Sequence, residues 1–191
     1  MKKEVLMFVF EGFADWESAY VGAKINESEE YVVKTVSVDE GPKNSMAGFK
    51  VIPDYTIENY PKEFAMLLLI GGQAWQEKKN DEVKNLVDYA VTHQIPVGAI
   101  CGATFFLAEC GYLDSRKHTS NTLEFLKHQV SSYKGEGYYR EKQAVSDNGI
   151  ITANGTATLE FSREVLKLLQ AMPEDKIEEW YQFHKQGFYK N

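Results

Sequence analysis

Cysteine is scarce: two of the 191 residues, too few for a disulfide framework and badly placed for a single bridge. If residues 102–110 are helical, Cys110 lies roughly 12–14 Å along the axis from Cys101 at ~1.5 Å per residue, whereas a disulfide needs Cα atoms within ~7 Å. Two free thiols fit a reducing compartment. Long hydrophobic runs are missing as well. Val5 to Phe10 and Ala65 to Ile70 fall far short of the ~20 apolar residues that span a bilayer, and the N-terminal stretch lacks the length and small-residue cleavage site of a secretory signal. Positive charge is sparse: 21 Lys and Arg against 28 Asp and Glu give a formal charge of -7 and a pI near 5.2. That excludes a broad basic face for nucleic acid; the nearest basic run, Lys78-Lys79, is flanked by Glu77 and Asp81. Only four histidines occur, without HExxH or CxxC, so no metal is assigned. The expectation is a soluble cytoplasmic protein with neither a membrane nor a nucleic-acid partner.

What is present is apolar and aromatic. With 43% hydrophobic and 13% aromatic residues, the chain suffices for one well-buried core and is short for two, so residues 1–191 read as one domain. Val5 to Phe10 is a continuous apolar strand, and Asp15 then reads as the cap of a helix with Trp16, Tyr20 and Ala23 on one face. Tyr31 to Val38 is a second strand. Gly48 and Pro53 signal a hairpin excursion over Ala47–Ile52 and Asp54–Ile57. Ala65 to Ile70 is a buried strand ending at Gly71-Gly72; Asp81 opens a helix with Val83, Leu86, Val87 and Ala90, and Pro96 to Ile100 is the next strand. After a short helix at Leu123–His128 come weak strands at Gln143–Ser146 and Gly149–Ala153, then a helix from Thr156 to about Met172 that Pro173 breaks. A last helix at about 174–188 puts Ile177, Trp180, Tyr181, His184 and Phe188 on one face, to dock on the domain or on a second subunit. Apolar strands alternating with amphipathic helices predict an α/β fold whose mostly parallel sheet is covered on both faces. Ligands of such sheets sit beyond the carboxyl ends of the strands, here Glu11–Glu17, Gly71–Trp75, Cys101–Thr104 and Asn154–Thr156.

The chemically suggestive residues collect in those segments. In "PVGAICGATFFLAECG", Cys101 falls between the strand and the next helix, where the first unsatisfied amides of the helix stabilise a thiolate. The alternative is a small buried residue; Cys110, among Leu107, Ala108 and Leu113, reads that way. An amide at Gly71-Gly72, together with that of Gly102, would form an oxyanion hole, although a tight turn accounts for the same glycines. Glu17 either complements a helix dipole or, partly buried beside Trp16, has a raised pKa and shares a proton with the thiolate. Asn154, Gly155 and Thr156 offer amides to an anion or cap a helix. Tyr138, Tyr139 and Arg140 line a pocket mouth, where an Arg can hold a carboxylate, or form a solvated loop. His93 reads as a helix C-terminal group, and His128 and His184 lack the spacing of zinc ligands.

Taken together, "FEGFADWE", "LLLIGG", "AICGATFFLAECGYL", "RKHTSN" and "TANGTATLEFSREVL" resemble the ThiJ/PfpI family of the class I glutamine amidotransferase-like superfamily, in order and over nearly the whole chain. The resemblance implies a flavodoxin-like three-layer sandwich with Cys101 as the reactive cysteine on a strained nucleophile elbow. It further implies Glu17 as the protonated partner carboxylate and Gly72 and Gly102 as the two oxyanion-hole amides. Two departures stand out. The proteolytic branch has a His directly after the cysteine, where this chain has Gly102, so robust protease activity is not expected. The branch with stress-protective and glyoxalase-like activities has a His in the loop after the elbow helix; Asn121 matches that position, with His118 three residues ahead, which leaves the base open. The expected function is a cysteine-dependent enzyme acting on a small carbonyl or amide compound, without a cofactor and as a homodimer. The alternative is a stress-protective protein that senses oxidation at the same cysteine.

Overall fold

A strand without a polar face is stable only between two covering layers, and the apolar runs of this chain accordingly become the middle of one sheet. The structure is a computed structural model that describes residues 2–76 and 80–187; the Lys78-Lys79 run with Glu77, and Phe188 of the last helical face, lie outside the described residues. In chain order the elements are β1 (Lys3–Phe8), α1 (Asp15–Glu27), β2 (Tyr31–Ser37), β3 (Lys43–Asn44), β4 (Lys50–Val51), β5 (Tyr55–Thr56), β6 (Met66–Leu69), α2 (Lys84–Thr92), β7 (Val97–Ile100), α3 (Gly102–Glu109), α4 (Leu123–Gln129), β8 (Ala144–Asp147), β9 (Ile150–Ala153), α5 (Thr158–Leu169) and α6 (Glu174–Gln186).

The main sheet runs β5-β2-β1-β6-β7-β9-β8, with every pairing parallel except β8 with β9. This is a flavodoxin-like α/β fold. Strand order reverses at β1, so the crossover through α1 runs one way across the sheet and that through α2 the other; right-handed connections then put helices on both faces. The helices α1 and α5 pack on each other, and α2 lies on β6 and β7. Among the described residues no helix is long and apolar enough to cross a membrane.

Several local expectations are corrected. Asp15 does not cap α1: the cap position is Ala14, and Asp15 Oδ2 accepts instead from Ala47 N at 2.8 Å. That bond, with Ala14 N donating to Gly71 O at 2.9 Å, fixes the rotation of the first turn. The buried face of α1 is therefore Glu17, Val21 and Ile25, while Trp16 is 49% and Tyr20 39% exposed. The hairpin is made by β3 and β4, and β5 leaves it to join the main sheet beside β2, held there by Asp54 Oδ2 accepting from Thr35 N at 2.8 Å. Asp81 opens a short 3-10 turn ahead of α2, and α5 begins at Thr158. The last helix docks on the domain itself: Ile177, Trp180 and Tyr181 are buried, and Tyr181 Oη donates to the buried Glu160 at 2.8 Å, which Lys185 also reaches at 2.7 Å.

Strand β7 packs closely under α5 at Gly98, where a Cβ would stand 3.0 Å from Leu68 Cδ2 and 3.1 Å from Phe161 Cζ. Overpacking such a site costs about 1–3 kcal/mol. Gly98→Ala should lower the urea midpoint accordingly at unchanged m-value; an unshifted midpoint would show that α5 yields to admit the methyl group.

Candidate active site

Strand β7 ends at Ile100, and the next residue must turn the chain into α3 within one peptide. Cys101 does so at φ 57°, ψ -124°, a conformation that costs a non-glycine residue about 1–3 kcal/mol and persists only where the surroundings over-determine it. Here they do. Cys101 N donates to Ala153 O at 2.9 Å. Its carbonyl accepts from Thr104 N at 3.1 Å and from Thr104 Oγ1 at 2.6 Å, and that hydroxyl is paired with Ser120 Oγ at 2.7 Å. The sulfur is thereby held at the carboxyl end of the sheet, beside the start of α3.

Glu17 reaches the same place from α1. It is 1% exposed, its Oε2 accepts from Gly71 N at 2.8 Å, and its carboxyl lies beside the Cys101 side chain, since a Cβ on Gly71 would meet both. Burial pushes this carboxyl up to about 7. Gly71 is bare for a reason: a Cβ there would collide with Glu17 Oε2 and stand 2.7 Å from Cys101 Cβ. The thiol moves the other way from the helix-stabilised thiolate expected of its position. Burial, and then the charge of ionised Glu17, push Cys101 up to about 11, against the weaker opposing pull of the Asn121 amide and the Gly102 N–H. Burial takes Cys110 to about 11 as well, so acidity alone does not distinguish the two thiols, both of which are free. What sets Cys101 apart is the carboxyl that can take its proton.

The other site residues divide. Gly72, at φ 153°, leaves no room for a side chain, since a Cβ would stand 2.6 Å from Gly12 O, and its N–H makes no hydrogen bond among the described residues. Gly102 is next to it: a Cβ on Gly102 would stand 2.8 Å from Gly72 O and 3.7 Å from Gly72 N. The Gly72 and Gly102 backbones are thus packed against each other, and no imidazole can be carried at residue 102 without moving the Gly72 backbone. Asn121 is brought to the site as well. Its Oδ1 accepts from Gly155 N at 2.9 Å, which aims Nδ2 at Cys101 Sγ, 3.7 Å away. Gly155 closes that side, for a Cβ there would stand 2.8 Å from the sulfur. The amides of Gly155 and Thr156 are thus committed, the second to Asn154 Oδ1 at 3.0 Å, and are not free for an anion. Beside Asn121 a cleft of about 610 Å³ opens, lined also by Asn154, Gln143, Lys142 and Tyr139.

His118 is not part of the site. It is fully buried, with Nδ1 2.7 Å from Arg116 O and Nε2 2.7 Å from Tyr133 Oη. A carbonyl only accepts, so Nδ1 carries the proton and Nε2 takes the phenol's; burial holds the ring below its ordinary pKa. It is a core residue of the loop ahead of Asn121. Arg140 also turns away, its Nη1 donating to Tyr139 O at 2.8 Å on the β8 side. His93 and His184 bond the carbonyls of Tyr89 and Trp180 one turn back. Sequence reasoning missed Gly71 as the holder of Glu17 and Ser120 as the brace of the elbow; the Gly-Gly doublet and the hydroxyl inside "HTSN" were the available signals. Among the described residues no group of three or more His, Cys, Asp or Glu is placed to hold a metal ion.

Residues 3–168 match the DJ-1/PfpI family. The chain belongs to that family. Among curated relatives it is 37% identical to "Uncharacterized protease YdeA" of Bacillus subtilis, over 98% of this chain and 93% of that protein. It is 35% identical to "Uncharacterized protease YoaZ" of the same organism, over 96% and 91%. A solved ThiJ/PfpI family protein from Bacillus anthracis superposes with a TM-score of 0.91 at 36% identity, over 98% of this chain and 92% of that one. A DJ-1 superfamily protein from Agrobacterium tumefaciens gives 0.89 at 29%, over 97% and 100%.

The raised Glu17 carboxyl has a price in stability with a definite sign. A folded value of about 7 against an ordinary 4.5 means that the stability present below pH 4.5 is lost as pH rises through 7, by about 2–3 kcal/mol between pH 5 and 8. Glu17→Gln should lack this loss, so denaturant unfolding at the two pH values should show the variant gaining on the wild type by about that much at pH 8. An equal pH response in both proteins would place the carboxyl in water rather than in the core.

Proposed function

We propose that this chain is a cysteine-dependent enzyme acting on a small carbonyl or amide compound. The observation that carries the reading is the buried Glu17 carboxyl, raised to about 7 and packed with Cys101 against Gly71 at a strained elbow: a proton carrier poised at working pH. The thiol proton passes to Glu17, the sulfur forms a bond to the electrophilic carbon as the carbon–oxygen π bond breaks, and the amides of Gly72 and Gly102 receive the oxyanion. Glu17 then returns the proton to the oxygen or to a leaving group. With Gly102 and Asn121 where imidazoles would stand, one carboxyl serves as both acid and base, which favours small activated carbonyls over peptides.

Two interacting acids titrate as a pair. The first proton, near 7, leaves a monoanion that contains both carboxylate-with-thiol and carboxyl-with-thiolate, and the second leaves near 11. Alkylation of Cys101 by iodoacetamide should therefore rise in two steps, near pH 7 and near pH 11. In Glu17→Gln the thiol should titrate in one step below 11, because the repelling charge is gone while a donor remains. That variant should alkylate and not turn over a substrate such as methylglyoxal, and Cys101→Ser should do neither. Full turnover by Glu17→Gln would reduce the carboxylate to a helix-dipole partner, and Cys101-dependent cleavage of casein would overturn the preference for small substrates.

A second reading, an oxidation sensor at Cys101, is favoured by the donors around the sulfur. Asn121 Nδ2, 3.7 Å from the sulfur, supports it, and with the Gly102 N–H and a protonated Glu17 would bond oxygens added there by a peroxide. Stepwise mass gain at Cys101 under graded peroxide, with no turnover of any carbonyl, would select it.

The assembly we propose is a homodimer. The β3–β4 hairpin and the start of α1 adjoin through Met46 N donating to Phe13 O at 2.9 Å, and there Trp16 and Met46 are each 49%, Phe49 68% and Ile52 75% exposed, an apolar surface of the kind that marks association. Sedimentation should give a dimer for the wild type and a monomer for Phe49→Asp; two monomers would assign the patch to something else.

A further inference from the structure

We propose that the β8 edge of the sheet carries a second binding site, for a small multivalent oxyanion such as a phosphate monoester or a polycarboxylate. A cavity of about 410 Å³ there is bordered by Lys117, Arg140, Lys142 and Arg163, with Glu164 as the only carboxylate among its lining residues. On a chain of formal charge -7, such a convergence of cations is out of keeping with the rest of the surface. Arg163 is already matched, Nη2 lying 3.3 Å from Glu164 and Nη1 3.9 Å from Glu178. Lys117, Arg140 and Lys142 have no carboxylate within ion-pair distance among the described residues. Arg140 is also fixed in place: Nη1 donates to Gly137 O at 3.2 Å and to Tyr139 O at 2.8 Å, which leaves its remaining N–H groups for a ligand.

The backbone adds donors to these charges. The strand β8 is the last of the sheet and pairs only with β9. Val97 N donates to Gly149 O and Cys101 N to Ala153 O, each at 2.9 Å, so alternate residues along β9 turn their polar atoms toward β7. Their opposite numbers in β8, Ala144 facing Ala153 and Ser146 facing Ile151, must then point N–H and C=O outward, and both residues line the cavity. Outward N–H donors beside three cations that no carboxylate pairs with, the nearby Asp147 being engaged by Lys117 N at 2.8 Å, recognise oxyanions through charge-assisted bonds. Lysines along a sheet edge also guard it against pairing with other strands, but a guard binds nothing saturably.

Calorimetry and amide NMR on the full chain, with inorganic phosphate and citrate as probes at fixed ionic strength, separate the two. The proposal expects saturable binding, movement of the Ala144 and Ser146 amide signals, and at least tenfold weaker affinity in the double variant Lys117→Gln/Lys142→Gln. Cys101→Ser should bind as the wild type does, so the outcome is independent of the chemistry proposed for that cysteine. Shifts that never saturate, or that persist in the double variant, would overturn the site. Tighter binding of tetraglutamate than of citrate would overturn it in favour of an acidic peptide added as a strand.

Discussion

Cys101 lies in a left-handed backbone conformation that only glycine adopts cheaply, and the rest of the site depends on holding it there. Ala153 in β9 takes its N–H, and Thr104, backed by Ser120, takes its carbonyl. Because one anchor belongs to the sheet and the other to the first turn of α3, the elbow cannot relax without breaking the junction of β7 with β9. The cost of the turn is thus spread over the packing of the whole sheet, and the sulfur is fixed relative to α1, which arrives from the other side of the switch point. Glu17 meets it because Gly71 is bare enough for the carboxyl to lie against the backbone.

That meeting decides the electrostatics. A helix N-terminus lowers a thiol's pKa, yet Cys101 stands near 11 and Glu17 near 7. Desolvation disfavours the charged form of each group, and a buried pair with one proton between them carries one charge rather than two. The helix amide at Gly102 and the Asn121 amide offset this without reversing it. The arrangement therefore does not store a free thiolate. Under the proposed chemistry a thiolate forms only as the proton crosses to the carboxyl.

The fold was legible because its signal is hydrophobic continuity: Ala65 to Ile70 and Val97 to Ile100 have no polar residue to place in water, and only the interior of a parallel sheet accepts them. Cys101, Glu17, Gly72 and Gly102 were legible because each follows a strand, where such sheets gather their ligand groups. What could not be read was rotation and partnership. Whether Trp16 or Glu17 faces inward depends on the Asp15–Ala47 and Ala14–Gly71 bonds, whose partners are 32 and 57 residues away in the chain. The base stays open in the sequence because His118 stands three residues ahead of Asn121; the structure removes His118 from the choice. Its two ring nitrogens are spent on Arg116 and Tyr133, a fact of loop packing with no sequence pattern.

Asn121 shows what the absence of an imidazole does to the chemistry. An amide donates to the sulfur and accepts from Gly155, but it neither gains nor loses a proton near neutral pH, so it orders the site without entering its proton count. A histidine in its place would add a second group that titrates near neutral pH, able to take or give a proton beside the carboxyl. Under the proposed chemistry the carboxyl alone takes the proton and gives it back. Gly155 stays bare on the Asn121 side, where a Cβ would stand 2.8 Å from the sulfur, so the amide and the glycine together keep that flank of Cys101 free of any titrating side chain.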